Sequence, residues 1–227
     1  MSTAQLRRHD LVWLDPGIDA GRFVAAAEHA HCARDWVERG WPLVVARQSE
    51  PAARQANQLT LGFTPPSAPA RKRIALRASR AAIIRHSRPL LLLDAIDHAP
   101  RSWRAGIYSL HALCAKAGAV VRVYGSLSSQ AFTGASFLDE TSDLDLLLEC
   151  GEATRLHELL AALETFPLQT PRIDGEILAP TGWAVAWREL AEAVRAGTPR
   201  QVLAKSDCET RLIPVDQLFK NPLSLTV

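Results

Sequence analysis

The 227-residue chain has little cysteine, one methionine, two tyrosines and only 6% aromatic residues. Cys32, Cys114, Cys150 and Cys208 are widely spaced and form no C-x-x-C pair. That spacing excludes a disulfide framework or a zinc knuckle, and the four read as buried free thiols. No uninterrupted apolar run reaches the ~18 residues that a membrane span needs. The start, MSTAQLRRHD, has no apolar signal region, so a cytoplasmic protein without membrane association is expected. A formal charge of only +2 argues against bulk nucleic-acid binding. Acids are absent from one stretch in particular. Between Arg71 and Arg88 the chain carries Arg71, Lys72, Arg73, Arg77, Arg80, Arg85 and Arg88 with no Asp or Glu among them. Such a segment suits a polyphosphate ligand or an acidic protein partner, and equally a solvated Arg-rich surface.

What is present is an ordinary apolar fraction of 48%, patterned for both strands and helices. His9 to Leu14 reads as a short strand, followed by the Asp15-Pro16-Gly17 turn. From Asp19 to Arg39, Phe23, Ala26, Ala27, Ala30, Ala33, Trp36 and Val37 recur at helical spacing, and Gly40 is a natural helix stop. Trp41 to Ala46, Leu59 to Phe63 and Ile74 to Leu76 read as extended, interrupted by the Pro-rich FTPPSAPA. Apolar runs flank Pro89, where a lobe boundary is expected: residues 1–87 form one lobe and residues 88–227 the other. A helix is predicted from Ala99 to Ala117, burying Trp103, Ile107, Leu110, Leu113 and Cys114 and ending at Gly118. Val120 to Tyr124, dense in β-branched residues, reads as a strand.

The stretch that carries chemistry is VVRVYGSLSSQAFTGASFLDETSDLDLLLE, residues 120 to 149. A strand runs straight into Gly125-Ser126, and a short helical turn through Leu127 to Phe132 follows. Glycine admits a phosphate close to the backbone. The Ser126 hydroxyl and the amides of a helix start donate to anionic oxygens. After a polar loop, Asp143-Leu144-Asp145 opens an apolar strand, so both carboxylates fall on one face. Their Cα atoms are then roughly 6–7 Å apart by strand geometry. Two acids so placed repel each other unless a cation lies between them, and hard divalent ions such as Mg²⁺ or Mn²⁺ suit them.

Gly-Ser after a strand, followed by Asp-x-Asp opening another, resembles the core of the polymerase-beta-type nucleotidyltransferase superfamily. The resemblance implies a third carboxylate on a later strand. Asp174, in the extended-looking Arg172-Ile173-Asp174-Gly175-Glu176-Ile177, is the candidate third metal ligand and general base. More of the chain matches one family within it. The order RHDLVWL, WPLVVAR, LGFTPP, RKRIAL, YGSLSSQ and TSDLDLLL is similar to the phosphoribosyl-dephospho-CoA transferase of the malonate decarboxylase system, over nearly the whole length.

That resemblance implies an α+β protein of two lobes: a small N-terminal α/β lobe and a C-terminal nucleotidyltransferase-like mixed sheet flanked by helices. It implies transfer of 2′-(5″-triphosphoribosyl)-3′-dephospho-CoA to a serine of the decarboxylase's acyl carrier protein, with release of pyrophosphate. Asp143, Asp145 and Asp174 would hold Mg²⁺ or Mn²⁺, and Gly125 and Ser126 would seat the outer phosphates. Lys205 and Arg211 are candidates for neutralising the leaving pyrophosphate. Arg71 and Arg73 would meet the carrier protein or the cofactor's phosphates. Other readings of the same core are a small-molecule adenylyltransferase using ATP and an inactive nucleotide-binding module. The citrate lyase carrier protein is an alternative acceptor.

Other candidates carry less. His29 and His31 are two apart on a predicted helix and point away from each other, which favours a surface role over a metal site. Ser128 and Ser129 lack the G-x-S-x-G elbow of hydrolases. Trp183 and Trp187, four apart, fit one helix face packed into a core.

Overall fold

The computed structural model describes residues 5–17, 23–51, 53, 56–66, 72–139, 142–166, 171–197 and 200–219. Two compact units divide the chain. One is Met1–Pro89 with Asp207–Glu209, and the other is Leu90–Ser206 with Thr210–Val227.

The first unit holds β1 (Leu11–Leu14), β2 (Phe23–Ala25), α1 (Ala30–Glu38), β3 (Leu43–Val45), β4 (Gln58–Phe63), β5 (Ile74–Ser79) and β6 (Ile83–Ser87). Its strands form one antiparallel sheet in the order β2-β5-β4-β3-β1-β6. Period-two alternation is cleanest in β5, where Ile74, Leu76 and Ala78 are buried and Ala75 and Arg77 exposed. α1 buries Ala33, Trp36 and Val37. The Trp36 ring centroid lies 4.5 Å from Phe63 and 4.9 Å from Trp41, and its indole N–H donates to Pro42 O at 2.9 Å.

The helix expected from Asp19 to Arg39 is shorter than its periodicity suggests. Residues 18–22 lie outside the described residues. Phe23–Ala25 is a strand, with Phe23 opposite Ala78 of β5. Ala27–His29 is a single 3₁₀ turn without a buried residue. Small alanines bury too little to hold a helix, and Phe23 gains more by joining the sheet. His29 therefore ends the 3₁₀ turn and His31 lies in the first turn of α1.

The basic segment is spread over this unit, and four of its members are engaged one by one. Arg77 pairs with Glu50, Arg88 with Asp10, and the Arg85 guanidinium lies 3.5 Å from the Trp13 ring centroid. Arg73 crosses Gly62, where an added Cβ would come 2.6 Å from its Nε. Arg71 lies outside the described residues.

The second unit contains β7 (Leu90–Leu91), a 3₁₀ helix (Leu92–His98), α2 (Arg101–Lys116), β8 (Ala119–Val123), α3 (Gly125–Thr133), β9 (Leu144–Cys150), α4 (Leu156–Thr165), β10 (Ile173–Leu178), β11 (Ala184–Ala186), α5 (Trp187–Arg195), β12 (Gln201–Lys205), β13 (Thr210–Pro214) and α6 (Val215–Leu218). The strands lie in the order β13-β12-β11-β10-β9-β8-β7. β9 and β10 are parallel, while the other described neighbours are antiparallel, which makes the sheet mixed.

Register determines what each sheet face carries. Val121, Val123, Leu144, Leu146, Leu148, Ile173, Ile177, Val185, Val202, Ala204 and Ile213 share one face by alternation, and all are in the core cluster. Trp103, Ile107, Leu110 and Cys114 of α2, Leu159, Leu160 and Leu163 of α4, and Leu190 of α5 pack into the same cluster. Each fully buried leucine there contributes about 1.5–3 kcal/mol. Leu113, expected in the α2 stripe, is 41% exposed because it falls one position outside the stripe that ends at Cys114. Cys114 and Cys150 are buried, and burial pushes both thiols up to about 12, whereas Cys32 and Cys208 are partly exposed. All four are unbridged. No described helix is long and apolar enough to cross a membrane.

The tryptophan pair does not share a helix. Trp183 precedes β11 and Trp187 opens α5, because Ala184–Ala186 pairs with β10 and takes the chain through the sheet between them. Trp187 is buried.

Candidate active site

The alternation that sends Leu144, Leu146 and Leu148 into the core sends Asp143 and Asp145 to the other sheet face. Parallel pairing of β9 with β10 then sets Asp174 directly opposite Asp145. Adjacent strands are about 4.8 Å apart, so these two acids are side by side, and Asp143 stands one pleat before Asp145. Asp143, Asp145 and Asp174 thus share one sheet face.

Two glycines make the arrangement possible. Gly125 has φ +67°, and a Cβ placed there would come 1.9 Å from Asp145 Oδ2. The side chain that Gly125 lacks is the space the carboxylate occupies. The turn is tied down by Tyr124 N donating to Asp145 O at 3.1 Å. Gly175 has φ +134°, and its added Cβ would meet Leu146 O at 1.9 Å, so glycine lets β10 lie against β9 beside Asp174. Asp174 Oδ1 accepts from Gly175 N at 2.8 Å.

Gly125 and Ser126 open α3, whose N-cap residue Tyr124 makes no side-chain capping bond. First-turn amides of a helix have no intrahelical acceptor, and together with the Ser126 hydroxyl they make an anion seat next to Asp145. Gln130 holds this helix in place. Its Nε2 donates to His98 O at 2.6 Å, and its Oε1 accepts from Phe137 N and Leu138 N at 3.0 and 3.3 Å.

The electrostatics follow from crowding. Asp145 is pushed up to about 6, first by burial, then by the negative charges of Asp174 and Asp143, against the pull of Arg172. Asp143 is held below the usual carboxylate range by its hydrogen bonds to Arg172, with burial opposing and the charges of Arg172 and Arg188 assisting. Arg172 Nε and Nη2 donate to Asp143 Oδ1 and Oδ2 at 3.0 and 2.5 Å, a bidentate clasp.

The donor set of three carboxylates fits a hard divalent cation such as Mg²⁺ or Mn²⁺. The mutual charge on Asp145 and the cradle at Gly125 agree with that chemistry. The geometry is not a finished ligand cage. Among the described residues no three His, Cys, Asp or Glu side chains converge as a ready metal site. Asp143 is clasped by Arg172, whose guanidinium competes with a cation for its charge and its lone pairs.

The remaining expected residues are not gathered here. Lys205 Nζ donates to Glu176 Oε1 at 2.9 Å, and Glu176 is buried. Lys205 therefore neutralises a fourth carboxylate on the acidic face. Arg211 stands opposite Ala204 of the core face, with its guanidinium 4.7 Å from the Trp183 ring centroid. The sheet thus separates Arg211 from the carboxylates. Arg73 belongs to the other unit. Arg172, Gln130 and Glu176 were missed by motif reading. For Arg172 and Glu176 a signal existed, since each lies two residues from Asp174 and so shares its strand face.

Comparison with known proteins follows the same division of the chain. The family model described as phosphoribosyl-dephospho-CoA transferase MdcG N-terminal domain matches residues 7–89, and that described as the MdcG C-terminal domain matches residues 90–216. A phosphoribosyl-dephospho-CoA transferase of Xanthomonas campestris pv. campestris is 38% identical over 213 residues, covering 93% of this chain and 96% of that one. One of Bradyrhizobium diazoefficiens is 33% identical over 189 residues, with 81% of each chain covered. One of Pseudomonas aeruginosa is 31% identical over 194 residues, covering 80% and 84%. No solved structure matches the chain. With both domain models matched in order and these relatives spanned over most of their length, the chain belongs to the MdcG family of phosphoribosyl-dephospho-CoA transferases.

Proposed function

We propose that this transferase attaches 2′-(5″-triphosphoribosyl)-3′-dephospho-CoA to a serine of the acyl carrier protein of malonate decarboxylase and releases pyrophosphate. The observation that supports the reading most is Asp174 lying opposite Asp145, beside the Gly125 turn. A phosphate seat and a proton acceptor then lie within one strand spacing. The names of the relatives supply the donor, and the acceptor is the serine hydroxyl of a small acidic protein.

Asp143, Asp145 and Asp174 would hold Mg²⁺ or Mn²⁺, which supplies positive charge to the triphosphate and acidifies the attacking hydroxyl. The first-turn amides of α3 and the Ser126 hydroxyl receive phosphate oxygens and align the triphosphate. Asp174, oriented by the Gly175 amide, takes the proton from the carrier serine. The serine oxygen bonds to the phosphorus attached to the ribose, the bond to the pyrophosphate oxygen breaks, and a phosphodiester remains. Lys205 and Arg211 are not assigned to the leaving group, because Glu176 and Trp183 engage them.

The test is incubation with the triphosphoribosyl donor, the apo carrier protein and Mg²⁺, followed by intact mass of the carrier. A gain equal to the prosthetic group with its phosphodiester is expected. Parallel reactions replace the donor with labelled ATP and the carrier with aminoglycosides or the citrate lyase carrier. Transfer only from ATP, or only to the citrate lyase carrier, would refute the assignment.

A further inference from the structure

Arg172 touches the acidic centre from outside every motif, and its placing has two sides. One side is the bidentate clasp on Asp143, which fills the outward edge of the carboxylate group with a guanidinium. The charge of Arg172 also acts on Asp174 and Asp145, more weakly than on Asp143. On its other side Arg172 lines a cleft of about 720 Å³ between α4 and α5, whose charged walls are Arg172, Arg188 and Arg195 with Glu164 and Glu192. Arg188 is fixed there by donating to Ile173 O at 2.8 Å and by lying 4.4 Å from the Trp187 ring centroid. Arg195 is paired with Glu164. The Arg172 side chain is 64% exposed, so little packing holds it on Asp143.

The bidentate guanidinium takes one lone pair on each Asp143 oxygen and neutralises its charge, so it competes with a divalent cation for this carboxylate. A cation that takes up Asp143 weakens the clasp, and the cleft that Arg172 also lines, beside Arg188, is where the released guanidinium can turn. A polyphosphate arriving with its cation does both: the cation claims Asp143 and the phosphate claims the arginine.

Resting on the metal-dependent reading above, we propose that Arg172 is an exchangeable counter-ion. It clasps Asp143 before a divalent cation arrives, and turns to a phosphate of the donor in the α4–α5 cleft when the cation replaces it. The exchange couples cation binding to polyphosphate binding and makes the cation–polyphosphate complex the preferred ligand. Arg172 is then a specificity-determining residue for the donor.

One substitution separates this from a structural role, because it moves two affinities in opposite directions. Mn²⁺ binding to the full-length protein is measured by electron paramagnetic resonance for wild type, Arg172→Gln, Arg172→Lys and Asp145→Asn. Inorganic tripolyphosphate binding is measured calorimetrically in excess Mn²⁺. Arg172→Gln tightens Mn²⁺ alone by about fivefold, the upper range for an exposed ion pair. It weakens tripolyphosphate by about tenfold or more, as expected for a lost charge-assisted hydrogen bond. Arg172→Lys, which keeps the charge without the planar fork, falls between on both. Mn²⁺ affinity unchanged or weakened in Arg172→Gln, or tripolyphosphate binding at wild-type strength, overturns the exchange alone, provided Mn²⁺ binds wild type and is lost in Asp145→Asn. No Mn²⁺ binding by wild type or either Arg172 variant overturns both the exchange and the metal-dependent reading.

Discussion

Gly125 and Gly134 bracket the same helix with nearly the same backbone, φ +67° and +69°, and differ only in what surrounds them. Alanine at either position enters the left-handed region, at about 1–2 kcal/mol, or roughly 2–4 °C of melting temperature per kcal/mol. At Gly134 an added Cβ meets nothing within 4 Å, so that strain is the whole effect. At Gly125 it would come 1.9 Å from Asp145 Oδ2 and 3.2 Å from Asp145 Cβ. A contact of 1.9 Å cannot stand, and the flexible end of Asp145 is what yields. The fold loses little more than in the Gly134 variant, but the carboxylate moves by about 1 Å or more, a displacement that costs on the order of a hundredfold in rate. Thermal melts and the rate of carrier modification at saturating donor read the two effects separately. Gly134→Ala should melt a few degrees lower and turn over near wild type, and Gly125→Ala should melt similarly and lose about a hundredfold. Equal turnover in the two variants would refute the claim that the Gly125 turn exists to house a working Asp145 carboxylate.

Other expectations follow from charge and packing. With Asp145 at about 6 rather than 3.8, the folded protein holds this proton longer than the unfolded chain. Ionising Asp145 then costs stability as pH rises from about 4 through 6, up to about 3 kcal/mol in total. Asp145→Asn should therefore melt above wild type at pH 7.5 without divalent cations and lose that advantage by pH 4.5; calorimetry showing no pH dependence in the difference would contradict it. Lys205→Met removes the ammonium from buried Glu176 and should cost about 3 kcal/mol, the low end for a broken buried pair because the lysine is part-exposed. Adding Glu176→Gln should recover most of the loss in urea unfolding, whereas a Lys205 variant that kept its stability and lost turnover would return Lys205 to the pyrophosphate. Gly175→Ala would drive a Cβ into the Leu146 carbonyl and should abolish soluble expression or lower stability by more than about 4 kcal/mol.

Much of the site was legible because a strand has period two. Asp143 and Asp145 could be placed on one face from spacing alone, and Gly125-Ser126 at a strand-to-helix turn from residue types. The opposition of Asp174 to Asp145 was not legible, since it depends on the register of two strands separated by α4. Arg172 was passed over because an arginine flanking an acid carries no motif, although its parity with Asp174 placed it on the acidic face. The placing of Lys205 and Arg211 was not legible for a related reason. They lie across the β12–β13 hairpin, Lys205 opposite Thr210 and Arg211 opposite Ala204, and only the pairing reveals that they leave the sheet on opposite sides. In the N-terminal unit, helical periodicity over alanines set the start of α1 too early, because the partner of Phe23, Ala78, is more than fifty residues away.

Whether Asp145 and Asp174 work as one unit is decided by a double-mutant cycle on pyrophosphate release, with Asp145→Asn, Asp174→Asn and their combination in Mg²⁺. Groups that act together are grossly non-additive, so each single variant should lose nearly all activity and the double variant little more. Full activity in Asp174→Asn, or losses that multiply as for independent residues, would contradict a shared centre.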